Sequence, residues 1–133
     1  MNAKQIRQNK RKGKNLQNRV MKLFKEAFDL DDHDIRSAVA YEHGCDIKLS
    51  KYAQEVIKLS IECQDCKELS IYRTIDQAKS NIVGNTIEAV VFKRGSKGRQ
   101  TTYICLPLSM YLEIAKNAFD IGRISKHCWT TNK

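Results

Sequence analysis

No apolar run in the 133-residue sequence approaches the roughly 20 residues that a membrane-spanning helix needs. The basic N-terminus is not followed by the apolar stretch of a signal peptide, so a soluble, intracellular and cytoplasmic protein is expected. Internal repeats are absent, as are a phosphate-cradling P-loop, a dinucleotide fingerprint and a Ser/His/Asp arrangement. ATP-driven, dinucleotide-dependent and triad-type chemistries therefore lack their usual residues. The five cysteines are odd in number, which argues against a disulfide framework and for reduced thiols. Cys45, Cys63 and Cys105 lie within apolar stretches, where a thiol packs as a small hydrophobe.

Acid is also missing from one end. Residues 1–25 hold nine lysines and arginines and no aspartate or glutamate, whereas the remainder balances 15 basic against 15 acidic residues. The whole net charge of +9 therefore sits in the first 25 residues. Such a basic arm suits a polyphosphate partner, because each phosphate contact releases counterions and adds affinity that does not depend on sequence. A solvated, frayed terminus is the plainer alternative.

With 41% hydrophobic residues, a chain of this length can bury one core, and a single domain is expected. Its bounds are set at residues 14–119, between a basic flexible arm (1–13) and a C-terminal tail (120–133). Leu16, Val20, Leu23, Phe24, Ala27 and Phe28 recur at helical spacing, which predicts an amphipathic helix over about residues 14–28. The acidic stretch 29–34 lacks the glycine and closing glutamate of a calcium loop and reads as a turn. Two short alternating segments follow. In residues 44–49, Cys45, Ile47 and Leu49 share one face, and Asp46 and Lys48 the other. In residues 56–64, Ile57, Leu59, Ile61 and Cys63 point one way, and Lys58, Ser60, Glu62 and Gln64 the other. The short link at 50–55 predicts an antiparallel hairpin that brings Asp46 beside Glu62 on a common polar face. A helix around Ile71–Ile82 ended by Gly84, strands at 86–92 and 101–106 about a basic turn (93–99), and a last helix at 109–119 complete an α/β pattern with a mixed sheet flanked by helices.

Hydrolysing a phosphodiester with a divalent ion calls for carboxylates that hold the ion and a polarised water in line with the bond. An Asp on one strand and a Glu on the next supply that platform, with the carbonyl of Cys63 as a further oxygen, and the residue two beyond the Glu projects from the same face. The segments Arg36-Ser37, Gly44-x-Asp46-Ile47, Ser60-Ile61-Glu62-Cys63 and Gln77-Ala78 together resemble the PD-(D/E)XK nucleases, most closely the small phage and archaeal types similar to Holliday junction resolvases. Val91-Phe92-Lys93-Arg94 and Leu106-Pro107-Leu108 extend the similarity to about residues 14–117. The resemblance implies a restriction-endonuclease-like α/β fold, an Mg2+ (or Mn2+) cofactor, branched or duplex DNA as partner and a homodimer in a bacterial, archaeal or phage-infected cell.

On that reading Asp46, Glu62 and the Cys63 carbonyl hold the metal, and Gln64 and Lys48 join the acids in catalysis. DNA contacts fall to Lys10, Arg11, Lys12, Lys14 and Arg19 in the arm and first helix. Ser37, Gln77 and the basic-turn residues Lys93, Arg94, Lys97 and Arg99 complete that set. The family's usual Lys is replaced by Gln64, whose amide hydrogen-bonds but brings no charge. Lys48, Lys67 or Lys79 are candidates to supply it. A natural variant, an engineered inactive form and a binding-only relative all fit this residue. Asn15, Gln17 and Asn18 stand where the family often carries a further acid on the first helix. Two rivals are a DNA-binding protein of the same fold that lost catalysis, and a nucleic-acid binder with a zinc site from Cys63, Cys66, His127 and Cys128.

Overall fold

The computed structural model describes residues 2–121. Its first helix, α1 (Ala3–Ala27), opens with a capping box: the Asn2 side chain accepts from the Gln5 amide at 2.9 Å while Gln5 Oε1 accepts from the Asn2 N–H at 3.2 Å. Leu16 and Val20 are fully buried on its inner stripe, with Phe24 packed beside them. Residues 3–13, expected as a flexible arm, form the first turns of this same helix, because the Lys, Arg and Gln run has high helix propensity. They stand almost wholly exposed. The acidic stretch makes the predicted turn: Asp29 takes a positive φ of 51°, and Asp31 Oδ1 accepts from the His33 amide at 2.8 Å.

Strands β1 (Ile35–Ser37) and β2 (Ile47–Leu49) pair antiparallel, with Ile35 opposite Leu49. The hairpin expected between β2 and the next strand does not form. Residues 51–57 are instead helix α2 (Lys51–Ile57), capped by Ser50, whose hydroxyl accepts from the Ala53 amide at 3.1 Å. Lys58 closes the helix in the left-handed conformation, and β3 (Leu59–Gln64) starts only after it. The strand expected over 56–64 thus loses its first three residues. Lys51, Ala53, Gln54 and Glu55 are good helix formers behind a serine cap, and Ile57 is buried under either periodicity, so the apolar pattern alone does not separate the two.

Strand β3 pairs in parallel with β4 (Ile87–Arg94), joined by the crossover helix α3 (Ile71–Ser80), and β5 (Thr101–Cys105) runs antiparallel along the far edge of β4. The architecture is mixed α/β, with one mixed three-stranded sheet and a separate two-stranded one. Ile61 and Cys63 face the core shared with Leu16 and Val20 of α1, and Ser60 and Glu62 face the end of α3 and the turn after it. Leu59–Cys63 are therefore buried on both faces, in contrast to the expected strand with one solvated polar face. Ser60 meets the cost of burial by accepting from the Val83 amide at 3.2 Å and lying 2.5 Å from Thr86 Oγ1. The last helix, α4 (Leu108–Asp120), follows Pro107 and buries Met110 alone. Among the described residues no helix is long and apolar enough to cross a membrane.

Candidate active site

Asp46 reaches the edge of β3 by a route other than a hairpin. Its amide donates to the Ile61 carbonyl at 3.2 Å, and its carboxylate Oδ2 accepts from the Cys63 amide at 2.8 Å. The carboxylate thus takes the place of a missing neighbouring strand, satisfying an edge N–H that would otherwise be orphaned. Its carbonyl is held from two sides, by the Ala38 amide at 2.8 Å and by Gln17 Nε2 at 2.6 Å. In an extended strand the N–H and C=O of one residue point the same way, so the Cys63 carbonyl faces this edge too. The approach to Asp46 turns at Gly44, whose φ of +96° suits glycine; a Cβ there would lie 2.7 Å from Lys48 Nζ.

Glu62 lies 2% exposed beneath the C-terminal end of α3, and its Oε1 accepts from Asn81 Nδ2 at 2.8 Å. Burial pushes its carboxyl up to about 7, and the nearby Asp46 adds both its charge and an acceptor for the Glu62 proton; the Asn81 bond and the Lys48 charge pull the other way. The predicted Asp46–Glu62 pair is therefore brought together, as a site with more negative charge than its surroundings comfortably hold. Lys48 bends back to donate to the His43 carbonyl while its charge still acts on Glu62. The Cys63 thiol is held neutral by burial, which leaves only its main chain for a hard metal ion, and Cys66 is exposed. His127 and Cys128 of the zinc alternative lie outside the described residues, as does the tail from 122 onward.

Over this pair opens a cavity of about 570 Å³. Asp46, Cys63 and Gln64 line it from the sheet, Gln77 from α3, and Lys10, Lys14 and Gln17 from α1. Its remaining wall is the loop 38–42, stapled by two 2.8 Å bonds between Arg36 and Glu42 that draw the Glu42 carboxyl down to about 2. Lys14 donates to the Ala38 carbonyl at 2.6 Å, and Lys10 stands 5.8 Å from the centre of the Tyr41 ring, so both lysines are tied across the mouth.

The other expected DNA contacts divide. Lys12, Lys93 and Arg94 share a second cleft with Asp65, Cys66 and Lys67 on the far flank of α1, where Lys93 pairs with Asp65 at 3.7 Å. Lys97 and Arg99 sit exposed on the turn that follows. Arg11 lies with Lys4 and Arg7, and Arg19 projects from the face of α1 opposite Lys10 and Lys14, beside Lys22 and Glu26. The Ser37 hydroxyl donates to Asn18 Oδ1 at 2.8 Å and does not line the cavity. Two residues with a part in the site, Gln17 and Asn81, carry no charge and belong to no motif. The one signal for Asn81 is its place four residues after Gln77, on the same side of a helix.

Among the described residues no group of three or more His, Cys, Asp or Glu side chains gathers as a metal site. Two carboxylates and a main-chain oxygen nevertheless suit magnesium, which keeps several waters and takes only one or two protein carboxylates beside substrate phosphates. No protein-family model, curated protein or solved structure matches the chain.

Proposed function

We propose that the chain is a divalent-metal-dependent DNA endonuclease with a restriction-endonuclease-like fold, acting on branched or duplex DNA as a homodimer. The observation that carries this reading is the Asp46–Glu62 pair, supplied by two separate segments to one edge of β3 beneath a cavity spanned by lysines. A buried acid lifted to about 7 beside a second carboxylate is a place that a cation stabilises. The parallel β3–α3–β4 unit with Glu62 on its first strand supports the fold assignment.

Asp46, Glu62 and the Cys63 carbonyl would hold Mg2+ or Mn2+. The bound ion activates water and offsets phosphate charge. Lys10 and Lys14 hold the phosphodiester at the cavity mouth. Gln64 follows Glu62 by two residues on the same strand face, where its amide orients the water or a phosphate oxygen. Lys48 lends positive charge from the neighbouring strand. Gln17 fixes Asp46 through its carbonyl and is a positioning residue. Hydrolysis then forms a bond from water oxygen to phosphorus as the bond to the leaving sugar oxygen breaks, and the leaving oxygen takes up a proton.

A second reading, a DNA-binding protein without catalysis, is favoured by Gln64, which lacks the charge the family uses at this point. Labelled junction, flap, nicked and linear DNAs incubated with magnesium or manganese separate the two. Cleavage is expected from the native chain and is lost in Asp46→Asn while binding in calcium persists. Full activity in Asp46→Asn removes the site assignment, and no cleavage under any condition leaves the binding-only reading.

A further inference from the structure

Helix α4 is built to be buried and is not. Only Met110 enters the core, while Leu108, Tyr111, Leu112, Ile114, Phe119 and Ile121 are all exposed, Leu108 by 70% and Ile121 by 65%. At 100° per residue these side chains occupy one continuous arc, and Ser109, Glu113, Lys116 and Asp120 gather on the other side. The pattern is that of an amphipathic helix with a second apolar surface to cover. Monomeric proteins seldom leave so large a contiguous patch in water.

We infer that this face is a self-association surface, with α4 of a second copy of this chain packed along it. Three features favour that occupant. Leu108, Leu112, Ala115 and Phe119 are spaced four, three and four residues apart, the repeat of a helix-to-helix seam, and Ala115 at its middle lets two helices approach closely. Such a seam is complementary to itself about a twofold axis, which a single unrelated partner does not require. The exposed fractions of the six side chains leave on the order of 600 Å² of apolar surface, and the half-exposed Tyr103 and Ile104 of β5 bring it near the roughly 800 Å² per partner of a standard interface. Charge points the same way: Glu113, Lys116 and Asp120 give α4 a net charge of −1 in a chain of +9, so two strongly basic copies repel least here and a nucleic acid gains nothing.

The inference is independent of the nuclease reading, since its test uses neither DNA nor metal. Light scattering on the full chain over a concentration series is expected to show a mass of twice 15.3 kDa. Leu112 is exposed in the single copy, so Leu112→Glu leaves the fold and its circular dichroism intact while weakening the dimer about thirty-fold or more, the effect of losing one central interface residue. Leu108→Glu is expected to act in the same direction, whereas Lys116→Glu on the outer face leaves the mass unchanged. A native chain that stays monomeric throughout overturns the inference. So does a dimer that Leu112→Glu and Leu108→Glu leave equally tight. A monomeric full chain that associates only after residues 122–133 are deleted assigns the face to the chain's own C-terminal residues instead, which also overturns it.

Discussion

Glu62→Gln should make the metal-free protein more stable while abolishing cleavage. The carboxyl rises from 4.5 to about 7 on folding, about 2.5 units, so the folded state favours the protonated form. Stability is therefore greatest below about pH 4.5 and falls as pH climbs through the folded value near 7, beyond which ionised Glu62 costs about 3 kcal/mol at about 1.4 kcal/mol per unit. Glutamine removes this cost and keeps an oxygen for the Asn81 amide, whose 2.8 Å bond to Glu62 then becomes a neutral one. With a urea slope of about 1.5–2 kcal/mol/M, the midpoint at pH 8 should rise by about 1.5–2 M over the native chain, and the two proteins should converge near pH 4.5. Magnesium should narrow the gap at pH 8 by stabilising the native chain and leaving Glu62→Gln unmoved, because only a chain that binds the ion gains from mass action. A variant no more stable than the native chain at pH 8, or one that gains equally at pH 4.5 and pH 8, refutes the account of a strained acid pair.

Gln64→Lys places an ammonium two residues past Glu62. If no other cation fills that role, cleavage of one fixed substrate should quicken on the order of 100-fold, the scale of a single electrostatic donor; if Lys48 already fills it, Gln64→Lys changes little and Lys48→Ala slows the reaction instead. For binding, Lys10→Ala with Lys14→Ala at the cavity mouth, and Lys12→Ala with Lys93→Ala in the second cleft, should each lower the slope of log affinity against log salt by up to about 2. An unchanged slope in either pair, measured in calcium by fluorescence anisotropy, removes that cleft from the DNA path.

Periodicity and charge type by themselves make much of this protein legible. The stripe from Leu16 to Phe24 can be buried only as a helix. The unbroken β-branched run in β4 suits a strand covered on both sides, and Asp46 and Glu62 stand out because acids next to apolar strand residues need a reason. Segment 51–57 is ambiguous in the sequence because short apolar runs satisfy helix and strand alike, and its serine cap carries the deciding hydrogen bond. What the tertiary structure alone decides is how the acids meet. The Cys63 amide, left without a strand beside it, draws in the Asp46 carboxylate. The end of α3 closes over Glu62 and raises its pKa. Burial and proton affinity depend on what packs above a side chain, and neutral partners such as Gln17 and Asn81 act only through distance and direction, which a linear pattern does not contain.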